Sequence, residues 1–170
     1  EMTKQNLTDI TIVLDASTSM QGSAEKTRSA INEFIKGQQD TQGECNISLF
    51  TFSAPGLLFR GYDQKLVNNT DWLNPDWEGM NIKEISRLSK ENYQPCGNTA
   101  LYDATGIIIN KTGERFRNLK EENRPFKVLF VIMTDGEENS SREFTLSKLK
   151  DMITHQENVY SWNFLFLGAD

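Results

Sequence analysis

The chain has 170 residues, of which 37% are hydrophobic and 10% aromatic, a composition that suits one globular domain with a buried core and argues against a disordered chain. Its 24 acidic and 18 basic residues give a net charge of −6, so a nucleic acid is a poor candidate partner, whereas a cation or a protein with a basic rim is a better one. No apolar run in the sequence approaches the roughly 20 residues of a membrane-spanning helix, and no membrane contact is expected.

Strand and helix patterns alternate along the chain. Runs of β-branched or alternating apolar residues predict strands, and apolar residues at helical spacing predict helices. The predicted strands are 8–15, 45–53, 126–134 and 160–167, with a short hairpin strand at 57–63. The predicted helices are 24–38, 82–89, 100–119 and a helix that Thr145 caps and that ends near His155. Residues 68–80 are predicted to form a loop, and the most apolar segment, 126–134, the central strand.

This alternation is typical of an α/β fold with a doubly wound, mostly parallel sheet. We therefore expect such a sheet, with one antiparallel edge strand and helices on both faces. In sheets of this kind a ligand lies beyond the carboxyl ends of the strands, near the point where the strand order reverses. The residues that follow the predicted strands are accordingly the first place to look for a site.

The cysteines and the histidine restrict the chemistry of such a site. Cys45 and Cys96 form no CxxC pair, and His155 is the only histidine, so we expect no thiolate or imidazole metal site. Two free thiols in a reducing compartment are favoured over a disulfide. The polar residues 1–9 resemble no signal peptide, and we expect a cytoplasmic protein.

Three polar motifs fall where the predicted sheet would hold a ligand. They are Asp-Ala-Ser-Thr-Ser at 15–19 after the first strand, Gly-Asn-Thr at 97–99 before the long helix, and Thr-Asp-Gly at 134–136 after the strand 126–134. Each motif alone is also an ordinary helix cap or turn. Three of them at one edge of a sheet indicate a shared site.

By these motifs the chain resembles the von Willebrand factor A domain family, which includes the integrin inserted domains. The family's metal-ion-dependent adhesion site consists of an Asp-x-Ser-x-Ser motif, a later Thr and a later Asp. The resemblance implies a site formed by five residues of this chain: Asp15, Ser17, Ser19, Thr99 and Asp135. Because family members usually continue with a further helix, strand and final helix, we expect residues 1–170 to be a single domain of this type, truncated at its C-terminal end.

The chemistry of these side chains agrees with the resemblance. Mg²⁺ takes oxygen ligands in octahedral geometry, and alternate residues of a tight turn can direct the hydroxyls of Ser17 and Ser19 at one ion. Mn²⁺ or Ca²⁺ are the other candidate ions. Asp15 and Asp135 would contribute charge, either directly or by orienting bound water. By resemblance, the bound ion attracts the carboxylate of an Asp or Glu on a partner protein.

The resemblance therefore implies a protein-interaction module and no enzymatic activity. The catalytic alternative is a metal-dependent phosphoryl-transfer enzyme with Asp15 as nucleophile, but the phosphatases of this kind need a carboxylate where Ser17 stands. A Ser-His-Asp triad would need His155, which we expect on a helix away from this edge. A scaffold with an inactive site is the third possibility. The sequence does not specify the oligomeric state.

Overall fold

A five-stranded sheet runs through the centre of the molecule. The computed structural model describes residues 3–53, 58–60, 63–65, 74–85, 87–91, 93–135 and 138–168. Its strands are β1 Lys4–Asp15, β2 Glu44–Phe52, β3 Leu58–Arg60, β4 Asp63–Lys65, β5 Asn74–Asn81, β6 Pro125–Thr134 and β7 Asn163–Gly168. The main sheet has the order β5-β2-β1-β6-β7, and β3 and β4 form a separate two-stranded sheet.

The described helices cover both faces of this sheet. They are α1 Ala24–Gln39, α2 Leu101–Arg117 and α3 Leu146–Tyr160, together with 3-10 turns at Thr18–Ser23, Ile82–Glu84 and Glu121–Asn123. Residues of α1 belong to the core on one face, and residues of α2 and α3 to the core on the other. β1, β2, β6 and β7 are parallel, and β5 pairs antiparallel with β2. The predicted fold class is therefore confirmed.

The helices form where the apolar spacing predicts them. In α1 the side chains of Thr27, Ile31 and Ile35 are buried along one face. The Thr145 hydroxyl accepts a hydrogen bond from the Lys148 N–H at 3.1 Å, as predicted for the N-cap of α3. α3 continues past His155 to Tyr160, and β7 begins later than predicted. No described helix is long and apolar enough to cross a membrane.

The central strand is β1, and the prediction that residues 126–134 form it is wrong. β1 pairs with β2 on one side and with β6 on the other. Both β1 and β6 are buried on both faces, as strands inside a parallel sheet are. Hydropathy could not distinguish them, because it reports burial and carries no information on strand order.

Two further predictions around the edge of the sheet need correction, for the loop 68–80 and the helix 82–89. The antiparallel edge strand is β5, which lies in the segment predicted as a loop; residues 68–73 of that segment lie outside the described residues. An edge strand tolerates Pro75 and Gly79, and none of the described strands pairs with the outer side of β5. Of the predicted hairpin strand 57–63, residues 58–60 pair antiparallel with β4, and residues 57, 61 and 62 lie outside the described residues. Of the predicted helix 82–89, only the 3-10 turn Ile82–Glu84 forms among the described residues.

A buried ion pair connects the central strand to α2. Arg115 donates from Nη1 and Nη2 to the two carboxylate oxygens of Asp9, each at 3.0 Å. Asp9 is only 1% exposed. Burial raises the pKa of Asp9, and the charge and hydrogen bonds of Arg115 act against that rise. Asp9 therefore needs a positively charged partner at any pH at which its carboxylate is ionised.

We predict that Arg115→Met lowers the free energy of unfolding by about 3–5 kcal/mol at neutral pH, because it leaves a buried carboxylate without its partner. Loss of Arg115 raises the pKa of Asp9 further, so there is a pH range in which Asp9 is ionised in the folded wild type and protonated in the folded variant. The unfolded chain contributes equally to both proteins, so the loss of stability should be small where Asp9 is protonated in both and should grow as the pH rises through the raised pKa of Asp9 in the wild type.

Urea unfolding of both proteins across this pH range is the measurement. The matched control is Lys111→Met, also in α2, whose ion pair with Glu78 is long at 3.8 Å and exposed on both sides, so its loss should cost less than about 1 kcal/mol. Equal losses in the two variants, or a loss for Arg115→Met that does not change with pH, would contradict this account.

Candidate functional site

The predicted site residues lie at the carboxyl ends of β1 and β6. Asp15 is the last residue of β1, and Asp135 directly follows β6. β1 and β6 are adjacent and in register, with Leu14 opposite Met133. The charge of Asp135 contributes to raising the pKa of Asp15, as expected for two neighbouring carboxylates. The topology thus brings together two acidic residues that are far apart in the sequence.

Asp15 is held rigidly in the interior. Its side chain is fully buried. Oδ1 accepts a hydrogen bond from the Ser17 N–H at 2.8 Å, and Oδ2 accepts one from the Thr134 hydroxyl at 2.7 Å. Burial is the largest influence on Asp15 and raises its pKa, the hydrogen bonds from Ser17 and Thr134 lower it, and the charge of Asp135 raises it. The ionised form of this group would be stabilised strongly by a nearby cation.

The two serines form a continuous polar path from this carboxylate to the surface. Ser17 is buried and Ser19 is exposed. Their Oγ atoms are 3.1 Å apart, and either can donate to the other. Thr18, between them, points elsewhere: its hydroxyl accepts from the Gly97 N–H at 2.9 Å, and its own N–H donates to the Gly97 carbonyl at 2.9 Å. The alternation predicted from Asp-x-Ser-x-Ser is therefore present.

Thr99 is fixed by its backbone to the loop that follows β6. Its N–H donates to Asn139 Oδ1 at 2.9 Å, and its carbonyl accepts from the N–H groups of Asn139 and Ser140 at 2.9 and 3.0 Å. The two hydrogen bonds between Thr18 and Gly97 place the residues before Thr99 against the turn 17–19, which carries both serines. Thr99 is thus brought to the same edge through its neighbours, whereas Asp15, Ser17 and Ser19 are linked to one another directly.

Tyr93 supports this site and was not predicted. Its phenol is buried and donates to the backbone carbonyl of Asp15 at 2.5 Å. Burial raises the pKa of Tyr93, so the hydroxyl keeps its proton and remains a donor. The carbonyl of Tyr93 in turn accepts from Arg28 Nη1 of α1 at 2.9 Å. No sequence signal marks this tyrosine, because its segment is polar and irregular.

Asp103 lies in the first turn of α2 and holds residues 142–144 of the loop that follows β6. Its carboxylate accepts from the N–H groups of Arg142, Glu143 and Phe144 at 2.7, 2.9 and 2.8 Å. Glu138 accepts from the Ser141 hydroxyl and from the Tyr102 N–H. An acidic residue in the first turn of a helix is the one signal that could have drawn attention to Asp103. Glu137, which precedes this loop, lies outside the described residues.

The described residues contain no cluster of three or more His, Cys, Asp or Glu side chains that could hold a metal ion. The predicted set is of another kind, with two carboxylates and three hydroxyls. His155 lies near the end of α3, which returns across the sheet, so it is remote from this edge. Cys45 and Cys96 are free thiols in the structure, and burial raises the pKa of Cys45 to about 11.

We predict that Tyr93→Phe lowers the free energy of unfolding by about 1–3 kcal/mol, because the buried Asp15 carbonyl loses a donor. Urea unfolding measures the change. Tyr102→Phe is the matched control, since the Tyr102 hydroxyl makes no hydrogen bond to a described residue and its removal should cost less than about 0.5 kcal/mol. Similar losses for both variants would show that the Tyr93 hydroxyl does not support the site.

Comparison with known proteins places the fold. The sequence profile of the von Willebrand factor type A domain matches residues 9–160. No curated protein sequence matches this chain significantly. Among solved structures, the chain is similar to the manganese-loaded TRAP protein of Plasmodium vivax, with 16% identity and a TM-score of 0.58, over 96% of this chain and 57% of that one.

Proximal thread matrix protein 1 from the mussel byssus is similar as well. Its two structures match with 15% identity and TM-scores of 0.54 and 0.51, over 96% of this chain and 36% and 35% of theirs. At these identities the likeness shows the fold alone. The chain spans less than two thirds of the length of each of these proteins.

Proposed function

Because this chain belongs to the von Willebrand factor type A domain family, we propose that it is a metal-dependent protein-interaction module. Domains of this family generally mediate protein–protein interactions, often with a metal ion. In the proposal, Asp15, Ser17, Ser19, Thr99 and Asp135 hold one divalent cation at the carboxyl edge of the sheet. The cation binds a carboxylate of an Asp or Glu on a partner protein.

The observation that carries this proposal is the buried carboxylate of Asp15 beside Asp135. Among the ion pairs of the described residues, none joins Asp15 to a lysine or arginine. An ionised buried carboxylate costs several kcal/mol unless a charge balances it. A divalent cation at the edge would supply that balance for Asp15.

The donor set fits a hard cation. Carboxylate and hydroxyl oxygens are the ligands preferred by Mg²⁺ and Ca²⁺ and also suit Mn²⁺. Ser17, Ser19 and Thr99 would supply neutral hydroxyls, and Asp15 and Asp135 the negative charge. When bound, the ion would keep part of its positive charge. A carboxylate from outside the domain could neutralise that remaining charge. The manganese in the similar TRAP structure supports testing Mn²⁺ beside Mg²⁺.

The net charge of −6 indicates which surface charge a partner should have. An acidic domain attracts a surface that is basic overall, so the proposed partner presents its Asp or Glu within a basic rim. Asn98 and Asn139 are exposed near Thr99, the first as its neighbour in sequence and the second through a hydrogen bond to its N–H. Their side-chain N–H groups can donate hydrogen bonds to a docked carboxylate.

Phosphoryl transfer is less well supported. A nucleophilic aspartate must present one oxygen to the incoming phosphorus in line with the leaving group. Both oxygens of Asp15 already accept hydrogen bonds, and the side chain is fully buried. This geometry supports a role for Asp15 as a metal ligand or as a group that orients a metal-bound water. We therefore propose that the protein is a binding module and has no enzymatic activity.

The experiment that tests this proposal is thermal unfolding in EDTA and after addition of Mg²⁺, Mn²⁺ or Ca²⁺. A ligand at about 100 times its Kd stabilises the folded state by about 2.7 kcal/mol, which corresponds to a rise in Tm of roughly 5–10 °C for a domain of this size. We expect this rise in the wild type and none in Asp15→Ala.

The control is Asp151→Ala, which removes an exposed carboxylate from α3 and should keep the full metal-dependent rise. The comparison uses the shift in Tm within each protein, since Asp15→Ala also removes two hydrogen bonds and lowers the starting Tm. A wild-type Tm that is the same in EDTA and in each metal would count against the proposal.

A further inference from the structure

A cavity of about 370 Å³ lies at the opposite edge of the sheet from the candidate metal site. It is bordered by the C-terminal halves of α2 and α3 and by the start of β6. Its volume falls within the range of about 300–1,000 Å³ that is typical of small-molecule sites. β6 runs from Pro125, which lines the cavity, to Thr134 at the other edge, so the two places are about 30 Å apart.

The floor of the cavity is apolar and aromatic. Phe116, Val128 and Trp162 line it and are 9%, 6% and 6% exposed. The rings of Phe116 and Trp162 meet edge to face, with centroids 5.8 Å apart. Phe126 and Tyr160, each 62% exposed, also line the cavity. The exposed rings of Phe126 and Tyr160 favour a flat apolar body that can stack on them.

The charged side chains around the cavity favour an anion. Arg117 and Arg124 line it, and Glu121 is the one acidic residue among the described lining residues. Arg124 donates to the Leu119 and Arg117 carbonyls at the end of α2 and so offsets the negative end of that helix. The guanidinium of Arg117 makes no hydrogen bond or ion pair with a described residue. This local excess of positive charge stands out in a chain of net charge −6.

Gly113 keeps the cavity open. It lies in the interior of α2 and lines the cavity, and a Cβ added there would meet no atom within 4 Å. Glycine in a helix interior destabilises the helix relative to alanine. A larger residue at position 113 would stabilise the helix and occupy the empty space.

We propose that this cavity is a binding site for a small organic anion with a flat aromatic body. The body binds against the exposed rings of Phe126 and Tyr160, and the anionic group is bound by the guanidinium of Arg117. This site is separate from the proposed metal site, and its function does not depend on that proposal.

The test uses two dyes that share a ring system, with the full chain in EDTA. The probes are 8-anilinonaphthalene-1-sulfonate, which carries the anionic group, and N-phenyl-1-naphthylamine, which lacks it. Fluorescence titration of the wild type should show one saturable site for the sulfonate. Gly113→Leu should weaken sulfonate binding more than tenfold because its side chain fills the cavity. Gly113→Ala, which adds only a methyl group, should keep most of the binding.

Arg117→Gln tests the positive charge alone, because it removes that charge and leaves the apolar lining of the cavity unchanged. A charge-assisted hydrogen bond contributes enough that its loss should weaken sulfonate binding about tenfold, while binding of the neutral dye should stay unchanged. Thermal unfolding of each variant confirms that it is folded. The proposal is overturned if the wild type has no saturable sulfonate site, if Gly113→Leu binds as the wild type does, or if Arg117→Gln affects the two dyes equally.

Discussion

The buried carboxylate at the end of the central strand is the constraint on which the carboxyl edge of this fold depends. Asp15 ends β1, and the turn that follows β1 and the end of β6 each contribute a hydrogen bond to its side chain. A buried acidic group of this kind must be either protonated or balanced by positive charge. Because Asp135 lies beside it, the need for positive charge is greater than for an isolated carboxylate.

The surrounding loops are held in place by contacts that leave Ser19 exposed at the surface. The Tyr93 hydroxyl donates to the backbone carbonyl of Asp15, and the Tyr93 carbonyl accepts a hydrogen bond from Arg28 of α1. Asp103 and Asn139 attach the loop after β6 to the start of α2 and to Thr99. Polar side chains fixed in this way keep their geometry without a ligand, which reduces the free energy needed to order a site on binding.

The sequence predicted the fold class and most strands and helices, because β1, α1, α2 and β6 each carry a clear apolar pattern. It did not predict β5, where Pro75 and Gly79 obscure the strand pattern, or the place of β1 at the centre. The five proposed site residues could be named from motif spacing, and they remain predictions. The supporting roles of Tyr93 and Asp103 could not, since they arise from contacts between residues distant in sequence, which no local pattern records.

The most direct test of the central claim, that a divalent cation balances Asp15 and Asp135, is titration of the protein with Mn²⁺ followed by electron paramagnetic resonance. The account predicts one bound Mn²⁺ per chain in the wild type, displaced by Mg²⁺, and loss of that binding in Asp135→Asn, which keeps Asp15 intact. A wild type that binds no Mn²⁺, or an Asp135→Asn variant that binds it equally well, would contradict the claim.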